Sequence, residues 1–323
     1  MKRDLKNMLG GEGSMVKIPF FKPPPLEFDE IQYIEGLLEV ILDSGQLTNG
    51  QFCRELEDMV KSIYNVKHVI TVSSGTAGLW LVLKALKSKH VIMPSFTWKS
   101  LLEIIPERVT WLDIDPDSWL PQVTGREEGD TYIINLTFGN VDDYSEVVPE
   151  DKFLVYDGAH AFGSAIPDIG NATVFSLAAT KPFTTCEGGL ILTDDDQIAE
   201  KLVKLRDSCA RMSEIHAVIG QVFLGKLGNI LSQRARIWDY YRRYIPYKHQ
   251  KILRSTSYSV YGFLADNREE IIERVKDKME VKTYYEPLYR GLPNTEYVAN
   301  RIICIPSYVG VDMVEVVKLC RGR

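Results

Sequence analysis

From His68 onward the hydrophobic pattern alternates between two periods. Short runs of β-branched and aromatic residues ("HVITVSS", "HVIMPS", "RVTWLDIDP", "TYIINLTFG", "KFLVYDG", "ATVFSL", "GGLILTD") are bounded by turn-forming residues. Several of these runs are continuously apolar, as strands covered on both faces are. Segments with apolar residues at helical spacing, such as "TAGLWLVLKALKS" and "DQIAEKLVKLRDS", stand among them. The pattern predicts an α/β fold with a mostly parallel central sheet and helices on both faces.

Upstream of the alternation, a Pro-rich arm "IPFFKPPPLEF" leads into a helix over "DEIQYIEGLLEVILDSG", with an acidic first turn and a stop at Gly45. A second helix over "GQFCRELEDMVKSIYN" follows the turn "GQLTNG". Downstream, "MSEIHAVIGQVFLGKLGNILSQRARIWDYYRRYI" contains a long helix, and "STSYSVYGFLAD", "REEIIERVKDKM" and "RIICIPS" predict a small α+β unit. Three regions result: a polar, Gly-containing tail over 1–14, a large α/β domain with its arm over 15–215, and 216–323 with the connecting long helix and a smaller C-terminal α+β domain.

Composition narrows the function classes. With 323 residues, 45% hydrophobic and 25% charged, the chain is an ordinary globular protein too long for one core. A net charge of -6 argues against a nucleic-acid or membrane surface, either of which needs a basic face. The basic stretch "QRARIWDYYRR" is therefore read as a solvated helix face. Five scattered cysteines, none in a CxxC pair, read as reduced thiols in the cytoplasm. No apolar run reaches a membrane span's length and no signal peptide is visible. His68, His90, His216 and His249 lack metal-ligand spacing, so no metal is expected.

Ligands of open parallel sheets bind beyond the carboxyl ends of the strands, so the residues there are the candidates. After "HVITV" come Ser73, Ser74, Gly75, Thr76, Ala77 and Gly78, small residues and hydroxyls opening a helix. By themselves they read first as a plain N-cap, with a phosphate site as the alternative. Trp98, beyond "HVIMPS", is placed where a flat ring could stack, or is an ordinary rim aromatic. Asp157, at the end of "KFLVY", is costly to bury unless paired; a protonated ring nitrogen would pair it. Ser176 ends the next run, and Lys181 follows among small residues, either as a surface charge or as an amine able to form an imine with a carbonyl cofactor. Singly these signals are weak. Together they supply a phosphate cradle, a stacking ring, an acid for a pyridine nitrogen and an amine for an aldehyde, the requirements of pyridoxal 5'-phosphate (PLP).

The stretches "SGQLTNGQFCRELEDMV", "VKHVITVSSGTAGLWLVLKAL", "VIMPSFTW", "LDIDPDSW", "YDGAHAFGS", "VFSLAATKPFTTCEGGLI" and "ARMSEIHAVIGQ" occur in fixed order between about Val16 and Leu231. In them the chain resembles the DegT/DnrJ/EryC1/StrS family of PLP-dependent sugar aminotransferases. The resemblance implies fold type I of PLP enzymes, a homodimer with sites at the subunit interface, a nucleotide-linked keto-sugar acceptor, and glutamate or glutamine as amino donor. It implies Lys181 as imine lysine and proton shuttle, Asp157 on the pyridine nitrogen, His160 near the ring hydroxyl and Trp98 stacked on the ring. It also implies that Thr76, Ala77 and Ser176 hold the phosphate, with Ser74 and Gly75 among the cofactor-binding residues.

The chain departs from common family forms at Asp207-Ser208-Cys209, where Gly-Tyr-Asn is frequent, and at Ala178, Pro182 and Cys186, where His, Asn and Gly are. It is also shorter in its C-terminal part. "VKTYYEPLYRG", with Lys282, Tyr284, Tyr285, Tyr289 and Arg290, either lines a nucleotide-sugar site or serves packing. Two other functions compete with the transaminase: a sugar dehydratase of the same family, which carries His at the lysine position, and a non-catalytic PLP- or sugar-binding regulator. Lys181 speaks against the first and the Lys181/Asp157 pair against the second.

Overall fold

All seven apolar runs form strands of one sheet. The computed structural model describes residues 17–322; the tail expected over 1–14 lies outside the described residues. In chain order the elements are α1 (Phe28–Ser44), α2 (Gln51–Tyr64), β1 (His68–Val72), α3 (Gly75–Leu86), β2 (His90–Pro94), β3 (Arg108–Leu112), β4 (Thr131–Asn135), β5 (Asn140–Val141), β6 (Phe153–Asp157), β7 (Ala172–Ser176) and β8 (Gly189–Thr193). Then follow α4 (Asp196–Cys209), α5 (Glu214–Gly225), α6 (Leu227–Tyr244), β9 (Lys248–His249), β10 (Ser255–Thr256), β11 (Tyr261–Leu264), α7 (Arg268–Val275), α8 (Pro293–Ala299), β12 (Ile302–Ile305) and α9 (Met313–Arg321).

The large sheet has the order β1-β8-β7-β6-β4-β2-β3. Its pairings are parallel except those of β8, which runs antiparallel to both β1 and β7. The two-residue alternation within each run divides the side chains between two cores. Tyr132, Ile134, Tyr156, Phe175, Leu190 and Leu192 pack with Leu56 and Val60 of α2 and Ala217 and Phe223 of α5. Ile133, Val155, Val174 and Ile191 face the other way, onto Leu79, Leu81 and Val82 of α3 and Ile198 and Leu202 of α4. A strand apolar at every position is thus a strand that serves both layers.

The long helix expected after Met212 is two helices, α5 and α6, bent by 62° at Lys226. Gly225 ends the first, and Lys226 Nζ is held by Glu30 at 2.7 Å and by the Pro25 carbonyl at 2.8 Å. The bend lets α5 cover the large sheet while α6 carries Ile237, Trp238 and Tyr241 into a separate core with α7, α9 and the antiparallel sheet β12-β11-β9.

One buried carboxylate fixes the start of α2. Glu214 is buried and accepts the N–H groups of Gly50 (2.8 Å), Phe52 (2.8 Å) and Cys53 (3.0 Å), which the helix cannot satisfy itself. Glu214→Ala strands three donors of a helix end, so we expect it to cost at least about 3 kcal/mol of stability. A denaturant-unfolding midpoint within error of wild type would refute this.

Candidate active site

The carboxyl ends of β1, β2, β4, β6 and β7 and the start of β8 meet at one edge of the sheet. Val72 and Ser176 both pair with Gly189 there, and Asn135 pairs with Asp157. A cavity of about 280 Å³ opens beyond this edge. Ser74, Gly75, Thr76, Trp98, Asp157, His160, Ser176 and Lys181 all line it.

The turn into α3 approaches its neighbours closely enough to require glycine. A Cβ on Gly75 would lie 2.9 Å from the Ser176 Cβ, and one on Gly189 would lie 2.7 Å from the Ser74 carbonyl carbon. The resulting concavity exposes two backbone donors: the N–H groups of Gly75 and Thr76 have no acceptor among the described residues. Ala77 differs from expectation. Its N–H is taken by Ser74 Oγ at 3.1 Å, so the ordinary N-cap is realised there, and Ala77 does not line the cavity. The backbone donors left open at this turn are therefore those of Gly75 and Thr76, beside the hydroxyls of Thr76 and Ser176.

Asp157 is 4% exposed. One carboxylate oxygen accepts the Ala159 N–H at 3.1 Å and the other accepts Asn135 Nδ2 at 3.3 Å. Burial pushes its pKa up, opposed by the Ala159 N–H and the charge of Lys181. Lys181 is half-buried, and burial lowers its pKa from 10.5 to about 8 against the pull of Asp157. Its Nζ lies 2.9 Å from His160 Nε2. Burial, Lys181 and Arg234 together hold His160 well below its ordinary pKa, so the ring is neutral. A protonated lysine only donates, which places the imidazole proton on Nδ1, toward Ser259 Oγ at 2.9 Å. The Tyr285 hydroxyl also reaches Nε2, at 3.1 Å.

Trp98 is 47% exposed and stands edge-on to Tyr284 (87°) and Tyr285 (68°) at the cavity wall. Of the "VKTYYEPLYRG" segment, Tyr284 and Tyr285 line the cavity, whereas Tyr289 stacks on Trp111 with an interplanar angle of 9°. Asn135 also lines the cavity and obeys the rule that picks out Asp157, a polar side chain closing an apolar strand; its Nδ2 donates to Thr97 Oγ1 at 2.6 Å. Ser259, Ser307 and Tyr308 had no such signal, because β11, β12 and their flanks are far off in sequence. Arg234 corrects an expectation. It lies in "QRARIWDYYRR", yet is buried and lines the cavity, because the bend at Lys226 turns this part of α6 inward.

The family model of the DegT/DnrJ/EryC1/StrS aminotransferases matches residues 29–321. The chain belongs to that family. Its fold is fold type I of PLP enzymes, and its cofactor is PLP. GDP-perosamine synthase of Escherichia coli O157:H7 is 25% identical, over 95% of this chain and 98% of its own length. DesI, solved in the presence of its TDP-sugar product, has the same fold at a TM-score of 0.83 and 24% identity, covering 100% of this chain and 98% of its own. A Streptococcus pneumoniae homologue in PMP form superposes with a TM-score of 0.82 at 21% identity, covering 95% of this chain and 97% of its own.

The residues present suit PLP. The two free N–H groups and the glycine-dependent concavity fit a phosphate, and the buried Asp157 carboxylate, whose hydrogen bonds come from neutral groups, fits a cationic ring nitrogen. Of the departures from common family forms, Cys209 ends α4 exposed, its Sγ 3.4 Å from the Leu205 carbonyl. Cys186 has φ of 71°, a left-handed conformation that explains why glycine is common there.

Proposed function

We propose that the protein is a nucleotide-sugar aminotransferase that takes its amino group from glutamate or glutamine. The observation that carries this reading is Lys181, an amine of lowered basicity, 2.9 Å from a neutral His160 in the cavity that also contains Asp157. PLP supplies, when bound there, an aldehyde for the amine and a ring that draws electrons from the donor's α-carbon. Asp157 would pair with the ring nitrogen and keep it protonated, Gly75, Thr76 and Ser176 would hold the phosphate, and Trp98 stands at the wall where a ring would lie. Lys181 Nζ would take the proton from the donor α-carbon, with His160 Nε2 orienting the amine. Phe20, Phe21, Trp98, Tyr284 and Tyr308 give the cavity an aromatic wall suited to a sugar and its base.

The names of the relatives support a sugar acceptor: one is a GDP-perosamine synthase and another was solved with a TDP-sugar product. A homodimer is part of the same proposal. Phe28, Ile31, Val40 and Leu42 of α1 are exposed, with Leu47, Met59 and Ile63 nearby in sequence, and only Ile41 of that helix is buried. A second copy of the chain would cover this apolar face.

The test is the donor half-reaction without acceptor. PLP-loaded protein is expected to lose its visible absorption on adding glutamate or glutamine, as the amino group passes to the cofactor. An unchanged spectrum with both donors, in cofactor-saturated protein, would sink the proposal.

A further inference from the structure

Arg234 is a second cation in the cavity, and no role above uses it. It projects from α6, is 4% exposed, and is anchored by three neutral acceptors. Its Nε donates to the Tyr258 carbonyl at 2.7 Å; its Nη2 donates to the Ser259 carbonyl and lies 3.3 Å from Ser307 Oγ. Among the described residues Nη1 has no acceptor and no carboxylate pairs with the guanidinium. Asp157 and Glu187, the acids lining the same cavity, do not hydrogen-bond to it. A buried cation compensated only by neutral dipoles is costly and is relieved by an incoming anion. Burial brings its pKa down only to about 10, so it stays charged at neutral pH.

Its position selects the anion. Ser259 links it to the reacting amine: the Ser259 carbonyl takes Arg234, the Ser259 Oγ is 2.9 Å from His160 Nδ1, and His160 Nε2 is 2.9 Å from Lys181 Nζ. The cofactor phosphate has its own donors at Gly75, Thr76 and Ser176. An amino-acid donor must bring a carboxylate to this side of the cavity, because its carboxylate carbon is bonded to the carbon bearing the reacting nitrogen, within about 2.5 Å of it. The phosphates of a nucleotide-linked acceptor are under no such constraint. The N–H groups of Arg234 Nη1, the ones left without an acceptor among the described residues, can donate to such a carboxylate in a charge-assisted pair.

We propose that Arg234 binds a carboxylate of the amino donor and so makes the site selective for amino acids over simple amines. This rests on the aminotransferase reading above, and the two fail separately. The probes are glutarate, which has the donor's carboxylates without its amine, its uncharged diamide, and UDP as a nucleoside diphosphate, each titrated calorimetrically into PLP-loaded protein. Wild type is expected to bind glutarate and not the diamide. Arg234→Gln should weaken glutarate binding at least about tenfold, with UDP binding unchanged, and raise the KM for glutamate far more than it lowers kcat. Arg234→Lys should recover part of the loss. If Arg234→Gln keeps glutarate affinity, or loses UDP and keeps glutarate, the assignment is wrong. Should neither variant fold, wild type alone decides: phenylglyoxal modification of Arg234, mapped by mass spectrometry, should be slowed by glutarate and not by the diamide. Equal labelling under both would overturn the proposal. A wild type that binds glutarate but is unchanged by glutamate and glutamine would instead count against the aminotransferase reading.

Discussion

Lys181→Ala should leave no measurable turnover while the protein still binds PLP. The cradle of Gly75, Thr76 and Ser176 does not depend on the lysine, so cofactor affinity should fall without vanishing. Turnover requires an amine that can bond to the aldehyde and carry a proton, and among the described residues lining the cavity Lys181 alone can do both. The neutral His160 lies 2.9 Å from Lys181 Nζ but cannot replace it as a primary amine. The lowered pKa adds a check. An ordinary lysine is about 0.03% free base at pH 7, whereas one at about 8 is roughly a tenth free. Capture of PLP by wild-type apoprotein should therefore accelerate as pH rises to about 8 and then level off. Rates near wild type in the alanine variant, measured over many turnovers, would make Lys181 an ordinary half-buried lysine.

Asp157→Asn should slow the donor half-reaction by about 10²–10³-fold, the effect expected when roughly 3–4 kcal/mol of electrostatic stabilisation is lost. A buried carboxylate facing the ring nitrogen keeps that nitrogen protonated; an amide of the same shape does not. The fold should survive. Burial raises the Asp157 pKa, so the ionised form costs the apoprotein stability above the carboxyl's unfolded pKa, and the neutral amide removes that cost at pH 7. The new amide's oxygen can still accept the Ala159 N–H, although the contact from Asn135 Nδ2 loses its acceptor. Single-turnover absorbance with saturating glutamate measures the effect. A folded, PLP-loaded Asp157→Asn protein reacting as fast as wild type would remove Asp157 from the ring nitrogen.

The local pattern was enough to find the strands, because each central run is apolar over most of its length and bounded by turn residues. It also showed which polar residues close those runs, and that rule pointed to Asp157, Ser176 and the Ser74–Thr76 turn. Strand direction was beyond it. Nothing in "GGLILTD" distinguishes an antiparallel β8 from its parallel neighbours, since direction depends on how the connections cross the sheet. The bend between α5 and α6 leaves no local mark either, because helical periodicity runs through Lys226 almost without interruption.

What the sequence by itself determined is the large sheet and the residues carried on its carboxyl edge, because those depend on period, turn chemistry and the cost of burying a charge, all local quantities. What only the tertiary structure decided is the other wall of the cavity. Ser259, Ser307 and Arg234 come from segments that look in sequence like packing or solvated surface, and Tyr284 and Tyr285 from one that the sequence leaves open between site and packing. They reach the cavity because α6 turns by 62° relative to α5 and the C-terminal elements fold back beside Lys181. Contacts between residues far apart along the chain leave no periodic trace, and a buried arginine is spelled like an exposed one.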